Sequence, residues 1–343
     1  MSAPPPRANT LRVVRRAAGS DADFGDGMHP VLRRIYRSRG IQSATELDLS
    51  LERLHPVRTL EGIAAALELL LEHRLSGRIV VIGDFDADGA TSTALMLRAL
   101  RAWGFACVDF LVPNRFEFGY GLTPEIVALA ASRAPTLIVT VDNGISSLAG
   151  VAEARRRGID VLITDHHLPG AELPDACAIV NPNLPDCRFA SRALAGVGVA
   201  FYVMAGLKRH LDERGLAPEG APGAAEFLDL VALGTVADLV PLDANNRILV
   251  AQGLRRIRLG RCVPGIRALL EISGRSQAGL TAADLAFCVA PRLNAAGRID
   301  DMSIGIQCLL ADDADSASAL ARRLDELNLE RRAIEARMQG EAL

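Results

Sequence analysis

Ile79-Val80-Val81-Ile82-Gly83-Asp84-Phe85-Asp86-Ala87-Asp88-Gly89 is the stretch on which the fold turns. Four β-branched residues with no polar alternation are the pattern of a strand buried on both faces, and the glycine and aspartates that follow break it. Downstream, residues 90–103 fit a helix, 107–112 a second strand and 136–141 a third. A helix over about 146–157 and a fourth strand at 160–164 complete the alternation. Upstream, Ile63, Leu67, Leu70 and Leu71 recur at helical spacing between Leu60 and His73. Continuous apolar strands alternating with helices predict an α/β fold, a parallel sheet flanked by helices.

Beyond Gly196 the pattern turns mostly helical, with Gly- and Pro-rich turns, to about Leu310. From Asp312 one long helix is expected, with Asp312, Asp313 and Asp315 in its first turn and an apolar stripe of Leu320, Leu324, Leu327, Ile334 and Met338. At 1.5 Å per residue it spans on the order of 45 Å. So long a stripe requires a partner, so residues 312–343 read as a connecting helix leading to a further domain. Residues 1–58 read as an Arg-rich leader with short helices, and 59–311 as the main domain.

Bulk properties narrow the class. The 343 residues are 50% hydrophobic and 23% charged, enough apolar surface for a substantial core. A formal net charge of −3 excludes a polycation that coats nucleic acid, so any such site is a local basic groove. The six cysteines form no C-x-x-C pair and sit mostly in apolar contexts, as reduced thiols do. The longest apolar stretch, Leu194–Leu207, contains three glycines and falls short of the ~20 residues of a membrane span. A cytoplasmic protein with a buried helix there, and no membrane partner, is the expectation.

The carboxylates fall where strands end. The first strand runs into Asp84, Asp86 and Asp88, the third into Asp142-Asn143-Gly144, the fourth into Asp165-His166-His167. Ligands of open parallel sheets bind beyond the carboxyl ends of the strands, so these aspartates and histidines are expected around one crevice. That density of negative charge is unfavourable without cations. Hard oxygen donors with one or two imidazoles suit Mn²⁺ or Mg²⁺. Two such ions roughly 3.5–4 Å apart can ionise a water and stabilise the leaving oxygen of a phosphoester. Each cluster alone could be a helix cap, but adjacent histidines are not explained by capping. A calcium loop starting at Asp84 requires glutamate at its twelfth position, which is Leu95. Asp238, alone in an apolar stretch before Pro241, is the candidate to complete the shell, with a cap or turn as the alternative.

Gly83–Gly89, Val141–Gly144, Asp165–His167 and Gly234–Asp238 resemble the four sequential motifs of the DHH phosphoesterase family. Val112–Phe116, Gly119–Leu122, Val180–Asn183, Leu194–Val199 and Ala290–Arg298 are similar to its branch of single-strand-specific exonucleases. The resemblance runs from about residue 25 to the end. It implies that Asp84, Asp86, Asp88, Asp142, His166 and Asp238 ligate metal or support those that do, the division among the first three being open. It further implies that His167 contacts the scissile phosphate or assists the leaving group and that Asp165 orients a histidine. The implied reaction is 5′-to-3′ hydrolysis of single-stranded DNA to mononucleotides in repair and recombination, with two metal ions activating water. Helicases and single-strand-binding proteins are the implied partners, and 59–311 becomes the catalytic domain. Branch members continue past the long helix into a DHH-associated domain and an OB-type domain.

For holding DNA, Phe116, Phe118 and Tyr120 concentrate aromatics in a chain that is only 4% aromatic, and Arg115 precedes them. Arg292 and Arg298 flank Asn294 in a Gly/Ala-rich segment read as a phosphate-contacting turn, with salt bridging to Asp300 or Asp301 as the alternative. Two other functions compete: a family relative acting on short oligonucleotides, cyclic dinucleotides or a phosphoanhydride, and a non-catalytic scaffold, which would be expected to lose metal ligands.

Overall fold

Buried β-branched runs demand partners on both edges and both faces, and they find them here. β1 (Arg78–Ile82), β2 (Cys107–Leu111), β3 (Leu137–Val141), β4 (Asp160–Thr164) and β5 (Ala178–Val180) lie in the order β2-β1-β3-β4-β5. All four pairings are parallel. The three-residue β5 has no counterpart in the sequence-based expectation, being too short for a periodic signal. This computed structural model describes residues 14, 24–25, 27–113 and 119–342. They divide into two units, Met1–Leu49, with α1 (Pro30–Ser38), and Ser50–Leu343, with all that follows.

The helices of eight or more residues among those described in the second unit are α2 (Ile63–Glu72), α3 (Ala87–Ala102), α4 (Pro124–Ala131), α5 (Leu148–Arg156), α6 (Gly196–Glu213), α7 (Leu228–Ala237), α8 (Ala244–Arg258), α9 (Pro264–Ile272), α10 (Ala290–Ile299), α11 (Ser303–Leu310) and α12 (Ala314–Ala342). Alternation along the strands sorts their side chains between two layers. Ile79, Val81, Leu137, Val139 and Leu162 face the larger core with α2, α3 and α6. Val80, Ile82, Ile138, Val161 and Ile163 face a smaller core closed by α4 and α5. The apolar stretch at 194–207 lies largely in α6, whose residues from Gly196 to Met204 are buried. Among the described residues no helix is long and apolar enough to cross a membrane.

Two expectations need correction. Residues 290–299 form helix α10, so Arg292, Asn294 and Arg298 stand on a helix and not in a turn. The stripe of α12 does find a partner within the chain: α9, α10 and α11 pack on it, burying Ala317, Ala321, Leu324 and Leu327. Towards its far end the helix is uncovered, and Met338 there is 64% exposed.

Candidate metal centre

Register puts the carboxylates on one level. Ile82 pairs with Thr140 across β1 and β3, and Val141 with Thr164 across β3 and β4. The ladder runs one residue further: Asp142 N–H donates to Thr164 O (3.0 Å) and Asp165 N–H to Val180 O (3.1 Å). Asn143 Nδ2 ties the ends together, donating to Ile82 O (3.1 Å) and Val141 O (2.9 Å). The chain leaves β1 for β2 on one side and returns to β3 on the other, so β1 and β3 flank the topological switch where such sheets bind ligands.

Each donor is set by a local device. Asp86 caps α3, accepting Gly89 N–H at 2.9 Å, so the capping alternative describes one of its oxygens. Gly89 lets the turn close, since a Cβ there would lie 2.7 Å from Asp84 backbone atoms. Asp88 accepts the first two amides of α6, Gly196 N–H at 2.6 Å and Val197 N–H at 2.9 Å, an anion at a helix N-terminus. Gly196 is required at that contact, because a Cβ would come within 2.5 Å of Asp142 Oδ1. Asp142 itself has φ +64°, a conformation costly for a non-glycine residue. Asp238 follows the last turn of α7, its N–H donating to Gly234 O at 3.0 Å.

The side chains converge. His166 Nε2 lies 3.1 Å from Asp142 Oδ1 and 3.6 Å from Asp238 Oδ2. Neither oxygen has a hydrogen-bond partner among the described residues, although both are buried. Among the described residues, three sets of donors each lie within 4.8 Å: Asp84, Asp86 and Asp142; Asp88, His166 and Asp238; Asp142, His166 and His167. Asp142 and His166 each belong to two sets. Orphaned buried carboxylate oxygens in overlapping oxygen-and-imidazole sets are what a pair of hard divalent cations requires.

Electrostatics agree. Burial, with Asp86 adding to it, pushes the Asp84 carboxyl up to about 7. Burial and then Asp86 raise Asp238 to about 6. Asp88 and Asp142 are driven well above the usual range, by burial first and by neighbouring carboxylates second. Burial, then His167, lowers His166 to about 4, so its imidazole is neutral, the form that ligates. Asp165 differs. Burial would raise it, yet it stays below its ordinary value because it accepts His167 Nδ1 (2.8 Å) and the amides of Ile145 (2.9 Å), His166 (2.7 Å) and His167 (3.1 Å). The bond to His167 raises that imidazole in turn.

The nucleic-acid candidates scatter. Arg115 and Phe116, with Phe118, lie outside the described residues. Tyr120 is at the centre: its hydroxyl donates to Asp142 O (3.2 Å), and its ring meets Phe85 and His167 edge-on, each at 6.0 Å between centroids. Asn294 Oδ1 accepts Ala87 N–H at 2.7 Å, which makes it a brace for the start of α3. Arg292 is engaged by Asp325 at 2.8 Å. Arg298 alone of the three is exposed, without an ion pair among the described residues; Asp300 is taken by Arg323 at 2.7 Å. Sequence reasoning assigns no role to Asn181 and Asn183, whose Nδ2 groups donate to the His167 and His166 carbonyls. Their signal is a pair of asparagines flanking Pro182.

Comparison with known proteins adds the lineage. The model of the DHH family, N-terminal domain, matches residues 78–235. The single-stranded-DNA-specific exonuclease RecJ of Dickeya dadantii is 58% identical over 98% of this chain and 59% of its own length. That of Escherichia coli is 56% identical over 97% and 58%. The chain thus spans about 59% of the length of such relatives. Among solved structures, exonuclease RecJ bound to manganese superposes with TM-score 0.74 at 39% identity, covering 84% of this chain and 70% of that one. RecJ of Thermus thermophilus in complex with Mn²⁺ gives 0.76 at 37%, over 89% and 43%. With family match, sequence identity and superposition in agreement, the chain belongs to the DHH family, in its RecJ branch.

Proposed function

We propose that this chain is the catalytic core of an exonuclease that hydrolyses single-stranded DNA to mononucleotides, in the 5′-to-3′ direction, during repair and recombination. Two divalent cations, Mn²⁺ or Mg²⁺, would be its cofactors. The observation that carries this reading is the set of overlapping donor groups that share Asp142 and His166. Relatives at 56–58% identity bear the name of that activity, and RecJ structures were solved with manganese and magnesium.

Asp84, Asp86 and Asp142 would hold one cation, and His166 with Asp238 the other, with Asp142 shared. Asp88 accepts the first two amides of α6 and lies within reach of His166 and Asp238, so it would support or join the second cation's shell. Bound cations would supply a water ionised near neutral pH and would neutralise charge on the phosphate. The protein does the rest. His167 has Nδ1 engaged by Asp165, which leaves Nε2 as the atom that can bind phosphate or give a proton to the leaving oxygen. Tyr120 offers a half-exposed ring beside that histidine for a base. Arg298, exposed and without an ion pair among the described residues, is suited to a phosphate further along the strand. The scaffold alternative is disfavoured because every expected donor position is filled, and the donors gather in overlapping sets. Cytoplasmic location and a helicase or single-strand-binding protein as partners complete the proposal.

The test is digestion of 5′-labelled single-stranded and duplex DNA with Mn²⁺, with Asp142→Ala as control. Labelled mononucleotide from the single strand alone, lost in the control, supports the reading. Equal cleavage of a dinucleotide and a long strand would move the assignment to an oligonucleotide-specific relative.

A further inference from the structure

Of the three non-glycine residues with positive φ among those described, one is Asp142 and another is Leu239, at +60°. A leucine holds that backbone only under strain, and it gains no burial, since its side chain is 75% exposed. Leu239 lines a cavity of about 240 Å³ with Val240, Leu242, Ala286 and Phe287, and none of the described lining residues is charged. Phe287, also 75% exposed, rides on a single π-helical turn, Leu285–Val289, a local distortion that often accompanies function. The buried Thr235 on the same wall has a hydroxyl without a hydrogen-bond partner among the described residues.

This apolar groove begins one residue, about 3.8 Å of backbone, from Asp238. Asp238 belongs to the carboxylate–imidazole centre and Leu239 to this groove, so an occupant of both would join an anion to an apolar group. The cavity is smaller than the ~300–1,000 Å³ of pockets for drug-sized ligands, which suits one ring system. We propose that Leu239, Leu242 and Phe287 form a nucleobase platform that seats the base of the nucleotide whose phosphate lies at the metal centre, without regard to its identity. A lining without charged groups gives it no strong means of reading base edges, whereas every base has a π-face. This inference rests on the function proposed above.

The experiment is binding of an uncleavable phosphorothioate single strand, carrying a fluorescent adenine analogue at its 5′ end, to the full chain with Mn²⁺. Expected are quenching on binding, affinity about tenfold weaker for Phe287→Ala, recovery in Phe287→Trp, and no effect of Phe287→Ala on a strand whose terminal residue is abasic. Equal affinity of wild type and Phe287→Ala for the normal strand overturns the platform and leaves the function standing. So does a loss that is the same on abasic and normal strands. A concentration-dependent dimer of the wild type that Phe287→Ala dissolves would assign the groove to a second copy instead. Wild-type protein that binds no single strand overturns the function and the platform together.

Discussion

At the residue scale the centre is a set of charges held against their own preference. Asp84, 7% exposed and raised to about 7, is more comfortable protonated than ionised in the cation-free protein. Its folded-state value lies above the unfolded one, so its carboxylate opposes folding at neutral pH and ceases to do so as pH falls from about 7 towards 4. Asp84→Asn is therefore expected to stabilise the cation-free protein at pH 7.5, on the order of 2 kcal/mol, and to abolish the rise in Tm that Mn²⁺ produces in the wild type. Thermal melts with and without Mn²⁺ decide this, and a destabilised variant that keeps its Mn²⁺ response contradicts it. The same values set a pH dependence. His166, lowered to about 4, stays neutral through the accessible range. Asp84 and Asp238, at about 7 and about 6, take up protons in competition with cations. The Mn²⁺-induced rise in Tm should thus be largest near pH 8 and shrink through pH 7 to 6; a rise constant down to pH 5 would exclude these two as ligands. Arg298→Ala should raise KM for DNA several-fold without changing Tm, because nothing among the described residues pairs with it. An unchanged KM with a lowered Tm would make it structural.

At the scale of elements, the centre is assembled by ends: three strand termini, the start of α6 and the finish of α7. Gly196 is where two of these meet, and Gly196→Ala pushes a Cβ to 2.5 Å from Asp142 Oδ1. Because α6 is also anchored there by Asp88, the strain cannot be relieved by sliding the helix without breaking two amide–carboxylate bonds. The variant should lose at least tenfold in nuclease rate, with about 1–3 kcal/mol of stability. Full activity at wild-type Tm would mean that α6 can move. How much of this was legible follows from the ranges involved. The four long strands and the carboxylates at their ends could be read from Ile79–Asp84, Val141–Asp142 and Thr164–Asp165, because apolar periodicity and its interruption are local. Asn294, Asn181 and Asn183 could not be given their roles, because each acts through a bond to backbone elsewhere in the fold: Ala87 lies 207 residues from Asn294. The turn expected at 290–298 is helical because Ala290, Leu293, Ala295 and Ala296 bury a face that the glycine and proline obscured.

At the scale of the molecule, the later helices join the core of the sheet: α7 packs on α3 and α6, and α10 meets α3. The long helix α12 packs on three of these helices. The first half of the stripe, expected from sequence to need a partner, is buried on α9, α10 and α11. Arg292 on α10 is tied to it through Asp325, and Arg323 on it to Asp300. The helix therefore clamps the element that carries Arg298 and Asn294, and through Asn294 the start of α3 with its aspartates. Leu324 is fully buried in that clamp, while Met338 near the far end is 64% exposed. Leu324→Ala should cost about 2–5 kcal/mol, with a Tm drop of several degrees. Because α10 braces the centre, the Mn²⁺ response should weaken with it. Met338→Ala should stay within about 0.5 kcal/mol of wild type. Parallel melts of the two variants separate a clamp from a connector. A connector predicts two small effects. A clamp predicts one large effect, placed at Leu324, and it reaches the metal response only if α10 transmits it, since Leu324 is no part of the donor sets.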